Sequence, residues 1–167
     1  MKVAVLDASH GSRAYRNFSK HFEQTERYDV HEEEFPEEPE AVLVTGSSNG
    51  VYDEEDWIDI LVERLRGYIE DGVPVLGVCF GHQAVAEALG GTVEYMGEYE
   101  IGYEKVELDD TSLFQGLDES EEPFSTHQDE VVEMPGSVEK IAESDVSLHG
   151  FRHRDKPVFG VQFHPEY

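Results

Sequence analysis

The segment from Pro74 to Gly91, PVLGVCFGHQAVAEALGG, constrains the fold of this chain more than any other. A short apolar run ends at Cys79, the only cysteine, and a helical pattern of apolar residues follows as far as Leu89. Residues 77–81, GVCFG, fit the G-x-nucleophile-x-G pattern, which holds a reactive side chain at a sharp strand-to-helix turn. The two glycines suit such a turn because its backbone is strained and crowded. The segment therefore predicts a buried strand, a candidate nucleophile and a helix in direct succession.

The rest of the N-terminal half alternates strand-like and helix-like patterns, which is typical of an α/β protein with a parallel sheet. We expect strands at residues 2–6, 28–31, 41–44, 74–78 and 92–95, and helices at 13–23, at 53–71 and after Cys79. From residue 97 the segments become short and alternating, at 105–108, 131–133, 140–144 and 146–149, which predicts hairpins or a small antiparallel layer. A final strand is expected at 157–163. No repeat or linker divides the chain, so we expect a single domain over residues 1–167.

Acidic side chains dominate the charge: 38 Asp and Glu against 12 Lys and Arg give a formal net charge of −26. This charge argues against binding to nucleic acid, which needs basic side chains, and against an anionic membrane surface. The simplest interpretation is that these side chains form a solvated, acidic surface. A more specific interpretation is the surface of a halophile's protein. No apolar run approaches the roughly 20 residues of a membrane span. We expect a cytoplasmic protein whose single thiol stays reduced.

A cysteine nucleophile needs a base, and the base needs an orienting group. The strand expected at 157–163 ends at His164, and Glu166 lies two residues further along, on the same side of an extended chain. We interpret His164 as the base and Glu166 as its partner. The backbone N–H groups of Phe80 and of Gly46, in the loop after the strand at 41–44, are the expected donors to an oxyanion. Each residue alone has an ordinary structural explanation, so the interpretation depends on their convergence at one edge of the sheet.

The motif GVCFGHQ at 77–83, together with GVQFHPE at 160–166, resembles the paired motifs of class I (triad-type) glutamine amidotransferases. TGSSNGVYD at 45–53, EIGYEKV at 100–106 and THQDEVVEMP at 126–135 are similar to further segments of that family, in its GMP synthase-like subgroup. The resemblance implies a flavodoxin-like fold of three layers, with a mostly parallel central sheet flanked by helices. It also implies that Cys79 attacks the side-chain amide of L-glutamine and forms a γ-glutamyl thioester. The residues it places around the glutamine are Gln83 and, more weakly, Tyr103, His127, Gln128 and Asp129.

The resemblance implies neither a metal nor an organic cofactor. Among the other histidines, His82 is expected to pack or hydrogen bond within the core, and the remainder show no metal-ligand spacing (His10, His21, His31, His149 and His153).

The chain lacks an acceptor-activating half, including the G-x-x-x-x-G-K-[ST] motif. Ammonia is therefore expected to pass to a separate synthetase subunit or to be released, and GMP synthesis is one candidate use. Family domains usually continue past HPE into a terminal helix, whereas this sequence stops at Tyr167, which leaves open a truncated domain. Two alternatives remain open: a stand-alone hydrolase of γ-glutamyl amides or peptides, and a non-catalytic regulatory module.

Overall fold

The chain begins with alternating strands and helices and continues with strands alone. The computed structural model describes residues Met1–Tyr167. Its first part contains β1 (Val3–Asp7), α1 (Arg13–Phe18), β2 (Thr25–Asp29), β3 (Ala41–Val44), α2 (Asp56–Glu70), β4 (Val75–Val78) and α3 (Phe80–Ala88). Its second part contains β5 (Thr92–Tyr103), β6 (Val106–Leu108), β7 (Ser120–Glu121), β8 (Phe124–Glu133), β9 (Val138–Glu143), β10 (Leu148–His153) and β11 (Val158–Val161).

Nine strands form one sheet in the order β2-β1-β3-β4-β11-β10-β9-β6-β7. The first five are parallel to one another, and the last four each run antiparallel to their neighbours. A separate antiparallel pair, β5 and β8, forms the second sheet. The expected α/β fold, with a mostly parallel central sheet and a small antiparallel layer, is confirmed. Because β4 lies between β3 and β11, the segments that follow these three strands meet at one edge of the sheet.

Alternation along the central strands separates two apolar layers. In β3, Val42 and Val44 pack with α2 and α3, whereas Ala41 and Leu43 face the opposite layer, which includes Phe18 of α1. One face of α2 is buried through apolar side chains at helical spacing (Trp57, Ile58, Leu61, Leu65 and Ile69). Each such side chain contributes about 1.5–3 kcal/mol when fully buried. The longest helix, α2, has 15 residues, and no helix combines the length and apolarity that a membrane crossing requires.

Local hydrogen bonds move several boundaries away from those expected. The strand expected at 28–31 lies at Thr25–Asp29, because the Asp29 carboxylate accepts a hydrogen bond from the His31 N–H (3.2 Å) and turns the chain into a 3₁₀ helix. The strand expected at 146–149 begins only at Leu148. Before it, Ser144 Oγ accepts hydrogen bonds from two backbone N–H groups, at 3.2 Å each.

Other boundaries differ in length. The helix expected at 13–23 ends at Phe18, a 3₁₀ turn follows over Ser19–His21, and Phe22 is already extended. The strands expected at 92–95 and 131–133 are parts of the longer β5 and β8. These two strands pair with each other, so the pairing partner extends each of them beyond its apolar stretch.

Candidate active site

Cys79 lies at the turn between β4 and α3 with φ 55° and ψ −110°. Glu33 is the only other non-glycine residue with positive φ. Such a conformation costs about 1–3 kcal/mol and persists only where surrounding contacts hold it. One of these contacts is the hydrogen bond from the Cys79 N–H to the Val161 carbonyl of β11 (2.9 Å). The strained turn predicted from GVCFG is therefore present, and it is tied to the neighbouring strand.

Gly77 and Gly81 allow the backbone to pass closely on both sides of this turn. A Cβ atom on Gly77 would collide with the carbonyl of Gly81 and lie 2.8 Å from the His82 nitrogen. A Cβ atom on Gly81 would lie 2.8 Å from the carbonyl carbon of Val44 in β3. These contacts are with backbone atoms, which cannot rotate away. The spacing of the two glycines is therefore a packing requirement of the turn.

His164 follows β11 and lies at the same edge of the sheet as Cys79. Its Nδ1 atom is 2.8 Å from Oε1 of Glu166, and the two side chains are 8% and 1% exposed. A carboxylate at Nδ1 fixes the imidazole so that Nε2 is left for proton transfer. Gly46 packs against both groups, since a Cβ atom there would lie 3.1 Å from His164 Cε1 and 3.9 Å from Cys79 Sγ. The structure thus brings together Cys79, His164, Glu166 and Gly46.

The electrostatics of the site favour a charged His164. Burial lowers the pKa of His164, but the Cys79 sulfur and the Glu166 carboxylate raise it by more, so that the pKa is about 10. Cys79 also lies at the N-terminus of α3, where the helix dipole places partial positive charge beside the sulfur. In its thiol form, Cys79 can donate to the Thr126 carbonyl, 3.6 Å from Sγ. At neutral pH His164 is therefore an imidazolium beside the Cys79 sulfur.

Two backbone N–H groups beside Cys79 are available to an oxyanion. The N–H of Gly46 donates to no backbone carbonyl. Phe80 is the first residue of α3, so its N–H has no acceptor within the helix. Donors fixed before the reaction are those that stabilise developing negative charge most effectively.

Cys79 lies where two cavities meet. A cavity of about 100 Å³ extends from it towards Gln83, Gln128 and Asp129. A wider cleft of about 610 Å³ is lined by His164 and by residues of α1. A substrate could therefore place a small polar head group on one side of the sulfur and a larger group on the other.

Gln83 and Asp129 are held by a buried network. The Gln83 side-chain amide donates to the Asp129 carbonyl (3.2 Å) and to Oε1 of Gln162 (3.1 Å). The Tyr52 hydroxyl donates to the Asp129 carboxylate (2.5 Å). Burial raises the pKa of Asp129, and the Tyr52 hydrogen bond opposes this shift. The same contact and burial raise the pKa of Tyr52 to about 12.

Some residues expected near the substrate lie elsewhere. Tyr103 is 75% exposed at the end of β5, packs on Phe124 (5.6 Å between ring centres), and lines neither cavity. Tyr99 lines both cavities instead, and its hydroxyl lies 2.9 Å from Thr126 Oγ1. His127 borders the smaller cavity, but its side chain is 2% exposed and lies against Glu100.

Sequence reasoning missed three residues of this site: Tyr52, Tyr99 and Thr126. Thr126 could have been found, because it begins the THQD segment, whose next three residues the resemblance places near the substrate. His82, expected to pack in the core, is fully buried against Phe151, and burial lowers its pKa to about 3.

Comparison with known proteins places this geometry in a family. Residues 12–167 match the family model described as glutamine amidotransferase class-I. GMP synthase (glutamine-hydrolyzing) of Vibrio parahaemolyticus is 36% identical over 143 residues, which cover 83% of this chain and 26% of the relative. The enzyme of the same name from Clostridium novyi is 40% identical over 131 residues, covering 77% and 24%. The chain thus spans about a quarter of the length of the curated relatives it matches.

Solved structures of other proteins have the same fold as this chain. A Thermoplasma acidophilum protein, described as a candidate subunit of GMP synthase, superposes with a TM-score of 0.83 at 27% identity, covering 100% of this chain and 85% of that one. A glutamine amidotransferase of Thermotoga maritima gives a TM-score of 0.84 with 99% and 76% coverage, and at 23% identity it supports the fold alone. On the family match over most of its length and on these relatives, the chain belongs to the class I glutamine amidotransferase family.

Proposed function

We propose that the chain hydrolyses L-glutamine to glutamate and ammonia, with Cys79 as the nucleophile. The observation that carries this proposal is the convergence of three side chains from two parallel strand ends. Cys79 is held at a positive φ beside His164, and His164 lies 2.8 Å from Glu166. This is the arrangement of nucleophile, base and orienting carboxylate that covalent catalysis requires.

In the proposed reaction the Cys79 thiolate attacks the side-chain amide carbon of glutamine. The amide oxygen becomes an oxyanion, which the N–H groups of Gly46 and Phe80 stabilise. Protonated His164 gives its proton to the amide nitrogen, so that the C–N bond breaks, ammonia leaves and a γ-glutamyl thioester remains. Neutral His164 then takes a proton from water, whose oxygen attacks the thioester carbon. Glutamate leaves, and the Cys79 thiolate and protonated His164 are restored.

The smaller cavity is the proposed site for the amino-acid head group of glutamine. The Asp129 carboxylate, positioned by Tyr52, is the candidate partner of the α-ammonium group because the two charges are opposite. Gln83 and Gln128 offer neutral polar atoms beside it. In this assignment Gln83 also holds the cavity wall, since its amide group donates to two buried acceptors.

A glutaminase assay with matched variants tests the assignment. Cys79→Ser and His164→Gln should each reduce turnover by at least about 10³-fold, and Glu166→Gln by about 10²–10⁴-fold. His21→Gln, at an exposed histidine, should leave turnover unchanged. A glutamine-analogue electrophile should label Cys79 in the wild-type protein. If the folded protein is not labelled, catalysis by Cys79 is wrong and a non-catalytic module is the better interpretation.

We further propose that the ammonia passes to a separate synthetase subunit. The proposal is supported by the likeness to GMP synthases and to the Thermoplasma acidophilum protein that is described as a candidate subunit of GMP synthase. Adding a GMP-forming synthetase subunit with its nucleotide substrate should raise the glutaminase rate. An unchanged rate would reject this partner and leave the hydrolysis of glutamine untouched.

A second candidate function is the hydrolysis of γ-glutamyl peptides or amides. Arg13 and Arg16 line the wider cleft next to Cys79, in a chain with few basic residues. A guanidinium there could bind the carboxylate of the residue joined to the γ-glutamyl group. Under this hypothesis γ-glutamyl dipeptides are turned over, and Arg13→Gln or Arg16→Gln raises their KM, whereas Arg64→Gln on α2 does not. Turnover of glutamine alone would reject the hypothesis.

A further inference from the structure

Four ionisable side chains, two half-buried carboxylates and two buried imidazoles, form a cluster behind the wall of the smaller cavity. Glu100 comes from β5, Glu104 from the turn after it, His127 from β8 and His149 from β10. Their side chains are 15%, 24%, 2% and 0% exposed, in that order. We refer to these four residues as the Glu–His cluster. No residue of the proposed triad belongs to it.

The hydrogen-bond partners of His127 leave its second ring nitrogen without a proton in the neutral form. Nδ1 lies 2.9 Å from the Asp129 carbonyl, which can only accept, so Nδ1 carries the hydrogen. Nε2 then presents a lone pair to Oε1 of Glu100 at 3.0 Å. Two electron-rich atoms at this distance repel each other unless a proton or a metal cation lies between them.

The second imidazole, His149, also lies against carboxylate oxygens. Its Nε2 atom is 3.6 Å from Oε1 of Glu100 and 2.7 Å from Oε1 of Glu104. Even so, both ring nitrogens of His149 are buried without a hydrogen-bond partner in the protein, as are Oε2 of Glu100 and Oε1 of Glu104. Buried polar atoms without partners are costly, and several aimed at one point indicate that a proton or a cation belongs between them.

We propose that the Glu–His cluster binds a divalent transition-metal ion, with Zn²⁺ as the best match to its ligands. Ligand atoms of Glu100, His127 and His149 lie within 4.8 Å of one another. In a tetrahedral zinc site with bonds of about 2.0 Å, neighbouring ligand atoms are about 3.3 Å apart. The separations of 3.0 and 3.6 Å around Oε1 of Glu100 bracket that value. Glu104 lies beside this group, with Oε1 2.7 Å from His149 Nε2, and a water molecule can complete four-fold coordination.

The surroundings of His127 match those of a metal-bound histidine. Such histidines usually donate their second ring N–H to a carbonyl or carboxylate, which fixes the ring. Here the acceptor is the Asp129 carbonyl, which also accepts from the Gln83 amide (3.2 Å). A bound ion would therefore hold β8 against β5 and β10 and stabilise the wall of the smaller cavity. Its role is structural, because Cys79 and His164 lie outside the cluster.

Zinc titration of chelator-stripped, full-length protein tests the site. A chromogenic chelator in competition with the protein excludes the weak binding expected of exposed carboxylates. We expect one tight Zn²⁺ per chain. Glu100→Gln and His149→Gln should each weaken it by more than about 100-fold, since loss of an outer-shell partner alone costs about 10–100-fold. Glu98→Gln, an exposed carboxylate on the same strand, should leave it unchanged. Equal affinity in all three variants would overturn the proposal.

Cys79 and His164 are the other plausible ligands for zinc, so the titration is repeated in Cys79→Ser. The proposal requires an unchanged stoichiometry, and loss of the tight site in this variant would refute it. Co²⁺ offers a measurement that needs no cluster variant. The wild-type protein should develop the visible bands of a four-coordinate ion without a thiolate charge-transfer band. Should neither ion bind the wild-type protein more tightly than the competing chelator, no metal site exists.

Discussion

The substitutions Gly81→Ala and Gly67→Ala make the same chemical change in two helices, and we expect opposite effects on the free energy of unfolding. Gly81 lies in the first turn of α3, next to the strained Cys79, and Gly67 lies in α2. Around Gly67 nothing lies within 4 Å of the position of an added Cβ atom. At Gly81 the added atom would lie 2.8 Å from the carbonyl carbon and 2.9 Å from Cβ of Val44.

The magnitudes follow from two opposing effects. Alanine stabilises a helix relative to glycine by about 0.5–1 kcal/mol, and nothing opposes this gain at Gly67. Overpacking costs about 1–3 kcal/mol. We expect the upper end at Gly81, because the contact is with the backbone of the central strand β3. Since the helical gain is similar at both positions, the difference between the variants reports the collision itself, about 2–3 kcal/mol.

Urea unfolding of both variants beside the wild type measures this difference, provided that the three denaturant slopes agree. The midpoint should rise for Gly67→Ala and fall for Gly81→Ala. Glutaminase turnover should fall only in Gly81→Ala, because the collision displaces the turn that carries Cys79. Equal midpoints for the two variants would show that Gly81 is not pinned against Val44, and our explanation of the turn would fail.

Three further predictions concern charge. The pKa of His164, raised from 6.5 to about 10, means that its protonation supports folding fully below pH 6.5 and that this support is lost as pH rises towards about 10. Glu166→Gln should lower the pKa of His164 in an NMR titration, and an unchanged value would exclude Glu166 as a cause. Tyr52→Phe removes a hydrogen bond to the Asp129 carboxylate, which costs about 1 kcal/mol. The KM for glutamine should therefore rise roughly 5-fold with little change in kcat. An unchanged KM would show that Asp129 does not bind the substrate. The chain has a net charge of −26, so its carboxylates repel one another in the folded state. Raising KCl from 0.1 to 1 M shortens the screening length from about 10 to about 3 Å and should therefore raise the Tm. A flat or falling Tm would contradict repulsion between carboxylates.

The turn at Cys79 could be predicted from the sequence because its causes are local. Gly77 and Gly81 stand two positions on either side of Cys79, the candidate nucleophile, and each is required by a backbone contact. The approach of His164 follows from topology, since parallel strands deliver their carboxyl ends to one edge. A strand pattern that ends at His164 was therefore enough to place the candidate base.

The residues of β8 that lie opposite each side chain of β5 could not be predicted in the same way. Its pairing with β8 is irregular between Tyr95 and Glu100, and Gly97 there has φ 87°. An irregularity of this kind changes which residues lie opposite one another. The Tyr99 hydroxyl lies 2.9 Å from Thr126 Oγ1 beside the cavities, whereas Tyr103, which the resemblance placed there, pairs with Phe124 at the end of the strand.

The Glu–His cluster could not be predicted from the sequence for a different reason. Its members come from strands that are distant in sequence, so no spacing between them is characteristic of a metal site. Glu100 is opposite His127 only because β5 pairs with β8 at that register, and His149 arrives from the other sheet. The expectation that His149 belongs to no metal site rested on sequence spacing, which cannot test a site assembled from two sheets.

His127 connects the two sites, and two substitutions can separate its roles. Asparagine can keep a donor near the position of Nδ1 and so retain the bond to the Asp129 carbonyl, but it removes the Nε2 ligand. Glutamine reaches towards Glu100 and loses the Asp129 bond. If the Asp129 carbonyl positions Gln83, His127→Gln should raise the KM for glutamine more than His127→Asn, whereas His127→Asn should lose the tight Zn²⁺. Equal KM values in both variants would show that His127 does not act through Asp129, and tight Zn²⁺ binding by His127→Asn would remove His127 from the cluster's ligands.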